Sequence, residues 1–134
     1  PFLQNCPIHI SISHSHHKIA VLSNQFHSTG VDLQHLNDKI FRLKQKFLLK
    51  EELERKKNFS LEELTTYWSA KEALFKVYGK GDIFLGKDIL IDDFAFDPKG
   101  GSIHGNILLK EFPDKFTLGY QLVEDYILAY VVNP

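Results

Sequence analysis

The chain has 134 residues and a formal net charge of −1, a balance that argues against bulk nucleic-acid binding. Its hydrophobic content of 43% is enough to bury the core of one domain, and its single cysteine excludes an intrachain disulfide and the common zinc patterns. No apolar run reaches the roughly 18 residues of a membrane span and no secretory signal opens the chain, so we expect a cytoplasmic protein without membrane contact.

Short strands are predicted at the start of the chain. Ile8, Ile10 and Ile12 alternate with polar residues, which is the period of a strand that buries one face. A second short strand is predicted at residues 19–22, and a third extended piece at residues 30–33.

The middle of the chain is predicted to be helical. Residues 37–57 carry apolar side chains at helical spacing, with a break near Phe47. Ser60 and Glu63 form a capping box, which predicts a second helix that continues to Tyr78.

The last third of the chain is predicted to form strands, with a turn signal at residues 97–101 between the first two and a tight link at Glu124-Asp125 between the last two. The predicted strands are residues 89–96, 102–109, 116–123 and 126–132. Strands, then helices, then strands predict one α+β domain over residues 1–134, with an antiparallel sheet packed against two or three helices.

Lys71 lies in the middle of the apolar face of the capped helix, with Glu72 at its edge and Lys76 one turn further. A buried lysine is costly unless an anion meets it. One interpretation is therefore an anion site beside a carboxylate. The other is a lysine whose head reaches solvent, next to an ordinary surface pair of Glu72 and Lys76.

Asp32 and Gln34 lie two residues apart on the third extended piece, so their side chains point to one side and both could face one ion. An aspartate after Gly-Val also occurs simply as a strand end or a helix cap. The pattern alone leaves both interpretations open.

Residues 13–17, Ser-His-Ser-His-His, allow three interpretations. His14 and His16 have the H-x-H spacing of transition-metal sites. Serine and histidine donors at a strand end also suit phosphate oxygens. The third interpretation is an exposed polar turn.

Residues 39–57 concentrate positive charge, with eight lysines and arginines against three acids. Such a stretch is either a solvated helix face or a dock for an acidic partner.

Four segments, in order along the chain, resemble motifs of the 4′-phosphopantetheinyl transferase superfamily. Residues 68–76, WSAKEALFK, are similar to its W-S-x-K-E-A-x-x-K signature, and residues 30–32 resemble its G-[IV]-D motif. Residues 12–15, ISHS, resemble a strand end of the long, surfactin-synthetase-activating type. Residues 47–52 resemble the F-x-x-x-x-E segment between the two main motifs. The similarity extends from about residue 8 to residue 132.

The resemblance implies the fold of this superfamily and its reaction. The protein would transfer the 4′-phosphopantetheine group from coenzyme A to a serine of an acyl or peptidyl carrier protein, converting apo carrier to holo carrier with Mg²⁺. Carriers of fatty-acid, polyketide and peptide synthesis all fit. The basic residues 39–57 would then be a docking surface for an acidic carrier.

By position, the resemblance implies that Asp32 and Glu72 bind Mg²⁺, with Gln34 as a weak or water-mediated ligand. Glu72 would also remove the proton of the carrier serine, and Lys76 would act with it in catalysis. Coenzyme contacts are implied for four residues: Ser13, His14, Lys71 and Lys76. For Lys71, a structural ion pair is the alternative.

Two departures from the family pattern matter. Gln34 stands where the pattern G-[IV]-D-[IVL]-E has a second acid, so we expect weaker metal binding or a water in that place. The long type consists of two similar halves. We expect the end of the first half at about residues 1–29 and the second half at about residues 30–134, so that most of the N-terminal half lacks a counterpart.

Two alternative functions remain from the sequence. Gln34 and the short N-terminal part are compatible with a non-catalytic relative that binds coenzyme A or a carrier. His14, His16 and His17 are compatible with a transition-metal protein.

Overall fold

A computed structural model describes residues 5–133 of the chain. Within these residues the elements are β1 (His9–Ser15), β2 (Lys18–Asn24), β3 (Val31–His35), α1 (Ile40–Phe47), α2 (Lys50–Leu53), α3 (Leu61–Tyr78), α4 (Leu85–Asp88), β4 (Ile89–Ile91), β5 (Gly101–Ile107), β6 (Phe116–Val123) and β7 (Tyr126–Asn133). Strands β3 to β7 form an antiparallel sheet in the order β3-β7-β6-β5-β4, and β1 pairs with β2 in a separate sheet. The predicted α+β class is confirmed.

Helix α3 is the central element of the core. Ser60 and Glu63 form the predicted capping box, since the Ser60 hydroxyl accepts from the Glu63 N–H and the Glu63 carboxylate accepts from the Ser60 N–H, both at 3.0 Å. Gly79 ends the helix in the left-handed conformation that glycine adopts most readily. Between these ends, Ala70 and Ala73 are fully buried in the core, and their small side chains let α3 lie close to the sheet.

The close approach of β3 to α3 depends on Gly30. A Cβ atom at this position would lie only 1.9 Å from the Ala73 carbonyl oxygen. Since that oxygen belongs to the helix backbone, a side chain cannot be accommodated by a simple rotamer change. The absence of a side chain at residue 30 therefore brings the start of β3, with Asp32, against the middle of α3.

The N-terminal hairpin packs beside β3 through one of its two faces. Ser11 and Ser13 are buried, whereas Ile12, Ile19 and Val21 on the opposite face are more than half exposed. Ile12 pairs with Val21 in the β1–β2 register. Of the isoleucines that predicted this strand, Ile12 therefore lies outside and Ile10 is half-buried, whereas Ser11 and Ser13 lie inside.

The structure differs from the predicted elements in two places. The strand predicted at residues 89–96 ends at Ile91, because its neighbour β5 continues only along β6; Phe94 and Phe96 instead pack their rings near Tyr120. Helix α4 was not predicted, since it is a four-residue turn whose start is held by the Asp88 carboxylate, 2.9 Å from the Phe84 N–H.

We predict that Gly30→Ala costs about 3 kcal/mol or more of folding free energy, because the added methyl overlaps the backbone of α3. Gly81→Ala is the matched control. Gly81 has a φ of 76°, but a methyl group added there would have no other atom within 4 Å, so we expect a loss of about 1–2 kcal/mol from the backbone alone. Urea denaturation measures both, and equal losses would contradict the close contact.

Candidate active site

Three charged side chains meet where β3 lies against α3. Asp32 comes from β3, and Glu72 and Lys76 lie one turn apart on α3. The Lys76 ammonium is 3.8 Å from Asp32 Oδ1. The Asp32 carboxylate is also near enough to Glu72 to raise the pKa of the Glu72 carboxyl. The structure thus brings together the three residues on which the predicted magnesium site depends.

Asp32 is a buried carboxylate with one oxygen left without a partner. The side chain is 10% exposed. Oδ1 accepts from the Ser13 hydroxyl at 3.5 Å, whereas Oδ2 has no hydrogen-bond partner. Burial raises the pKa of Asp32 to about 6, against the opposing charge of Lys76 and the nearby hydroxyls of Ser69 and Ser13. The Ser69 hydroxyl lies outside hydrogen-bonding geometry, as it too has no partner.

The donor set of the site suits a hard divalent cation. Burial is the main cause that raises the pKa of Glu72, followed by the Asp32 charge, with Lys76 opposing both. Two carboxylates and one ammonium leave a net charge of −1 when all three are ionised. Mg²⁺ is typically bound by one or two carboxylates plus water and phosphate oxygens. The unpartnered Oδ2 of Asp32 and the carboxylate of Glu72 fit that ion.

Lys76 is held in place by backbone carbonyls. Its ammonium donates to the Val31 carbonyl oxygen at 2.7 Å and to the Ile12 carbonyl oxygen at 3.0 Å. The side chain remains 30% exposed. Lys76 therefore joins β1, β3 and α3, and it presents a fixed positive charge beside the two carboxylates.

Gln34 lies two residues beyond Asp32 on β3 and is half-buried. Strand alternation places both side chains on the same face of β3. Gln34 brings no charge to that face, and its role as a metal ligand stays a prediction.

Lys71 is wholly buried, and its ammonium donates to three protein oxygens. They are Glu52 Oε1 at 2.5 Å, the Ile89 carbonyl at 2.8 Å and the Leu85 carbonyl at 3.0 Å. Burial lowers the pKa of Lys71 to about 8, while Glu52 opposes this shift. An ammonium has three N–H donors, so none is left for a phosphate. The predicted coenzyme contact of Lys71 is therefore corrected to the alternative, a structural ion pair.

Glu52 was not predicted as a site residue, although it closes the F-x-x-x-x-E segment. Its Oε1 also accepts from the Leu49 N–H at 2.7 Å, and its Oε2 accepts from the Ile91 N–H at 2.8 Å. Together with Lys71, this carboxylate joins α2, α3, α4 and β4. The pair fixes the helix that carries Glu72 from the side opposite to β3.

The histidines and serines of residues 13–17 separate in the structure. The Ser13 hydroxyl faces inward, where it accepts from the Leu33 N–H at 2.9 Å. His14 is exposed on the opposite face of β1, so its predicted coenzyme contact would come from outside the Asp32 pocket. His16 lies at the turn to β2 and stacks on His35, with ring centroids 4.2 Å apart. Within residues 5–133, no group of three His, Cys, Asp or Glu side chains is arranged to hold a metal ion.

A cleft of about 600 Å³ opens beside Lys76. Its walls come from β1, the loop before Gly30 and the C-terminal end of α3; they include Ile10, Thr29, Phe75 and Lys80. The Thr29 hydroxyl is buried without a hydrogen-bond partner. The cleft therefore offers apolar walls and a cationic end at Lys76.

Comparison with protein-family models matches residues 28–131 to the 4′-phosphopantetheinyl transferase superfamily. The matched segment contains Asp32, Glu72 and Lys76, while β1 and β2 precede it. Comparison with curated proteins gave no match. No helix of the described part of the chain has the length and apolar character needed to cross a membrane.

We predict that Asp32→Asn stabilises the metal-free protein at pH 7. The pKa of Asp32 is about 6 in the fold against 3.8 for the free group. Between these values the folded state holds a proton that the unfolded state has lost, so stability falls as the pH rises through this window. The loss is about 3 kcal/mol for a shift of about two units.

Thermal unfolding between pH 3.5 and 7.5, without divalent metal, measures this difference. The melting temperature of Asp32→Asn should exceed that of the parent above pH 6, and the two melting temperatures should converge below pH 4. Asp114→Asn, at an exposed carboxylate, should leave the profile unchanged. If the melting temperatures of the parent and Asp32→Asn depend on pH in the same way, the Asp32 carboxyl does not have the raised pKa that its burial implies.

We predict that Lys71→Met costs about 3–5 kcal/mol, because it leaves the Glu52 carboxylate buried without its counter-charge. The double variant Glu52→Gln, Lys71→Met should recover much of this loss, since no charge then remains buried. Urea denaturation measures both. A Lys71→Met protein that is as stable as the parent but no longer binds coenzyme A would instead support a direct ligand contact.

Proposed function

The chain belongs to the 4′-phosphopantetheinyl transferase superfamily, and on this premise we propose that it transfers 4′-phosphopantetheine from coenzyme A to a serine of a carrier protein. The single observation that carries the proposal is the convergence of Asp32 and Glu72, with Asp32 Oδ2 unpartnered, beside the ammonium of Lys76. Membership of the superfamily makes the protein a transferase in general terms. Its metal, carrier and residue roles are the proposal.

Asp32 and Glu72 would hold Mg²⁺ between β3 and α3. When bound, the ion neutralises charge on the pyrophosphate oxygens of coenzyme A and orients them. The two carboxylates alone would repel those phosphates. With the divalent ion, the net charge of the three side chains changes from −1 to +1, which favours an anionic substrate.

The transfer itself needs a base and a fixed cation from this chain. The carrier serine oxygen attacks the phosphorus that bears the pantetheine arm, and the bond from that phosphorus to the bridging oxygen breaks. 3′,5′-ADP leaves with the electron pair. Glu72 takes the serine proton, directly or through a water. In the metal-free protein, burial and then the Asp32 charge raise the pKa of the Glu72 carboxyl.

Lys76 would contact the phosphates as a positioned point charge. Because two of its N–H groups already donate to carbonyl oxygens, its ammonium does not have to be ordered when the substrate binds. The neighbouring cleft of about 600 Å³ is the place we propose for part of coenzyme A. His14, on the outer face of β1, remains a proposed contact for a phosphate outside that cleft.

The basic surface of α1 and α2 is the proposed dock for an acidic carrier. Arg42, Lys46 and Lys50 are exposed there, whereas Arg55 is not free for docking, since its guanidinium donates to the Tyr67 hydroxyl and the Ile91 carbonyl. Exposed charges steer association and set specificity more than they add affinity. This surface therefore fits a transient encounter with a carrier.

A second candidate function is a relative that binds coenzyme A without turnover. Gln34 favours it, because the face of β3 that carries Asp32 has an amide where the family pattern has an acid. Calorimetry with coenzyme A and Mg²⁺ distinguishes the two functions, since binding without transfer supports the second.

The division of the chain near residue 29 also stays a prediction. The sheet topology supports it, because β1 and β2 form a sheet of their own and the five-stranded sheet begins with β3.

We predict that the protein, incubated with coenzyme A, Mg²⁺ and an apo carrier, adds the mass of one phosphopantetheine to the carrier. Glu72→Gln should slow transfer by about 10²–10⁴-fold through loss of the base, and a chelator should abolish it. Glu111→Gln, at an exposed acid on the surface, is the matched control. Transfer that persists in Glu72→Gln and in chelator would refute the assigned roles.

We predict that reversing the charges of Lys44, Lys46 and Lys50 raises KM for the carrier by about tenfold at low salt, with kcat and KM for coenzyme A unchanged. The effect should shrink at high salt, where exposed charges are screened. Reversal of Lys99 and Lys110, which are exposed outside this surface, should change none of these constants. An unchanged KM in the first variant at low salt would exclude the docking role.

A further inference from the structure

The hairpin of β1 and β2 is joined to β3 by serine side chains rather than by a backbone ladder. The hydroxyls of three alternate serines of β1 accept hydrogen bonds from three alternate N–H groups of β3. The pairs are Ser11 with the Val31 N–H at 3.0 Å, Ser13 with the Leu33 N–H at 2.9 Å and Ser15 with the His35 N–H at 3.2 Å. We call these three serines the serine ladder.

The serine ladder completes the hydrogen bonding of an edge strand. The other edge of β3 pairs with β7 along its whole length. The N–H groups that face β1 would otherwise be buried without acceptors, which is costly. Each hydroxyl can accept one of them and still has its own proton to donate.

Ser13 differs from the other two members of the serine ladder because its hydroxyl can donate to a carboxylate. Its hydroxyl lies 3.5 Å from Asp32 Oδ1, and both residues are buried. Ser15 instead lies 3.5 Å from the exposed His16 ring. The Asp32 carboxylate therefore has donors around Oδ1, from Ser13 and from the Lys76 ammonium at 3.8 Å, and none at Oδ2.

We propose that Ser13 is a positioning residue for the metal-binding carboxylate of Asp32; its coenzyme contact stays a prediction from the sequence. By engaging Oδ1, the Ser13 hydroxyl holds the carboxylate in the rotation that leaves Oδ2 free for the cation. The inference rests on the proposed function, since it assumes that Asp32 binds the metal. Through the Ser13 hydroxyl, the β1–β2 hairpin would then set the orientation of a metal ligand, Asp32, that belongs to the five-stranded sheet.

The test measures Mn²⁺ binding by electron paramagnetic resonance on the full chain, with no coenzyme present, together with the melting temperature. Ser13→Ala and Ser15→Ala each remove one hydroxyl of the serine ladder. We expect similar losses of a few degrees in Tm from both. We expect the Kd for Mn²⁺ to rise about 10-fold in Ser13→Ala, the lower end of the usual range because the contact is long, and to change little in Ser15→Ala.

Ser13→Cys keeps the shape of the side chain but replaces a good donor by a weak one. It should retain the fold and still weaken Mn²⁺ binding several-fold, which keeps the test decisive if the alanine variant does not fold. An unchanged Kd in both Ser13 variants, or equal changes in Ser13→Ala and Ser15→Ala, would overturn the inference.

Asp32→Asn separates this inference from the proposed function. If Asp32→Asn weakens Mn²⁺ binding but the Ser13 variants bind Mn²⁺ as tightly as the parent, the inference alone fails. If the parent does not bind Mn²⁺, or binds it equally well in Asp32→Asn, the metal site of the proposed function fails and the inference fails with it.

Discussion

The backbone contact between Gly30 and Ala73 is the constraint on which the site depends. A side chain at residue 30 would overlap the carbonyl oxygen of α3, so only glycine lets β3 lie this close to the helix. Two residues later, the same strand delivers Asp32 to the side of the helix that carries Glu72 and Lys76. The close packing of β3 on α3 therefore determines how near the Asp32 carboxylate lies to the Glu72 carboxylate.

Two polar networks hold α3 and β3 in this relation from opposite sides. On one side, the buried pair of Lys71 and Glu52 ties α3 to α2, α4 and β4. On the other, the serine ladder and the Lys76 ammonium tie β1 to β3. Between them lies an Asp32 carboxylate that the fold buries at a cost, as its raised pKa indicates. A bound cation would offset that cost, so the binding energy of the metal and the stability of the fold are coupled.

The parts of the fold that depend on local signals could be predicted from the sequence. The capping box of Ser60 and Glu63 and the stop at Gly79 define α3 within the helix itself, and short runs rich in aromatic and aliphatic residues predict β6 and β7. Strand 89–96 was predicted too long, because apolar residues continue beyond Ile91, where the pairing of β4 with β5 ends. Helix α4 is too short for a periodic signal.

The site was predictable only in part, since its contacts join residues far apart in sequence. The meeting of Asp32 with Glu72 was inferred from the resemblance of two motifs, because neither motif by itself specifies a partner. The acceptor for Lys71 is 19 residues away, and helical periodicity alone does not identify it. The alternate serines of β1 have the pattern of an exposed strand face, and only tertiary packing turns that face toward β3.

The most direct test of the account is a crystal of the protein grown with Mn²⁺ and coenzyme A, with diffraction data collected for the anomalous signal of manganese. We expect one anomalous peak between β3 and α3, about 2.1 Å from a carboxylate oxygen of Asp32 and of Glu72, as is usual for a small hard cation. A coenzyme phosphate should lie beside Lys76. A peak at other side chains, or coenzyme bound with Asp32 and Glu72 turned away from any metal, would contradict it.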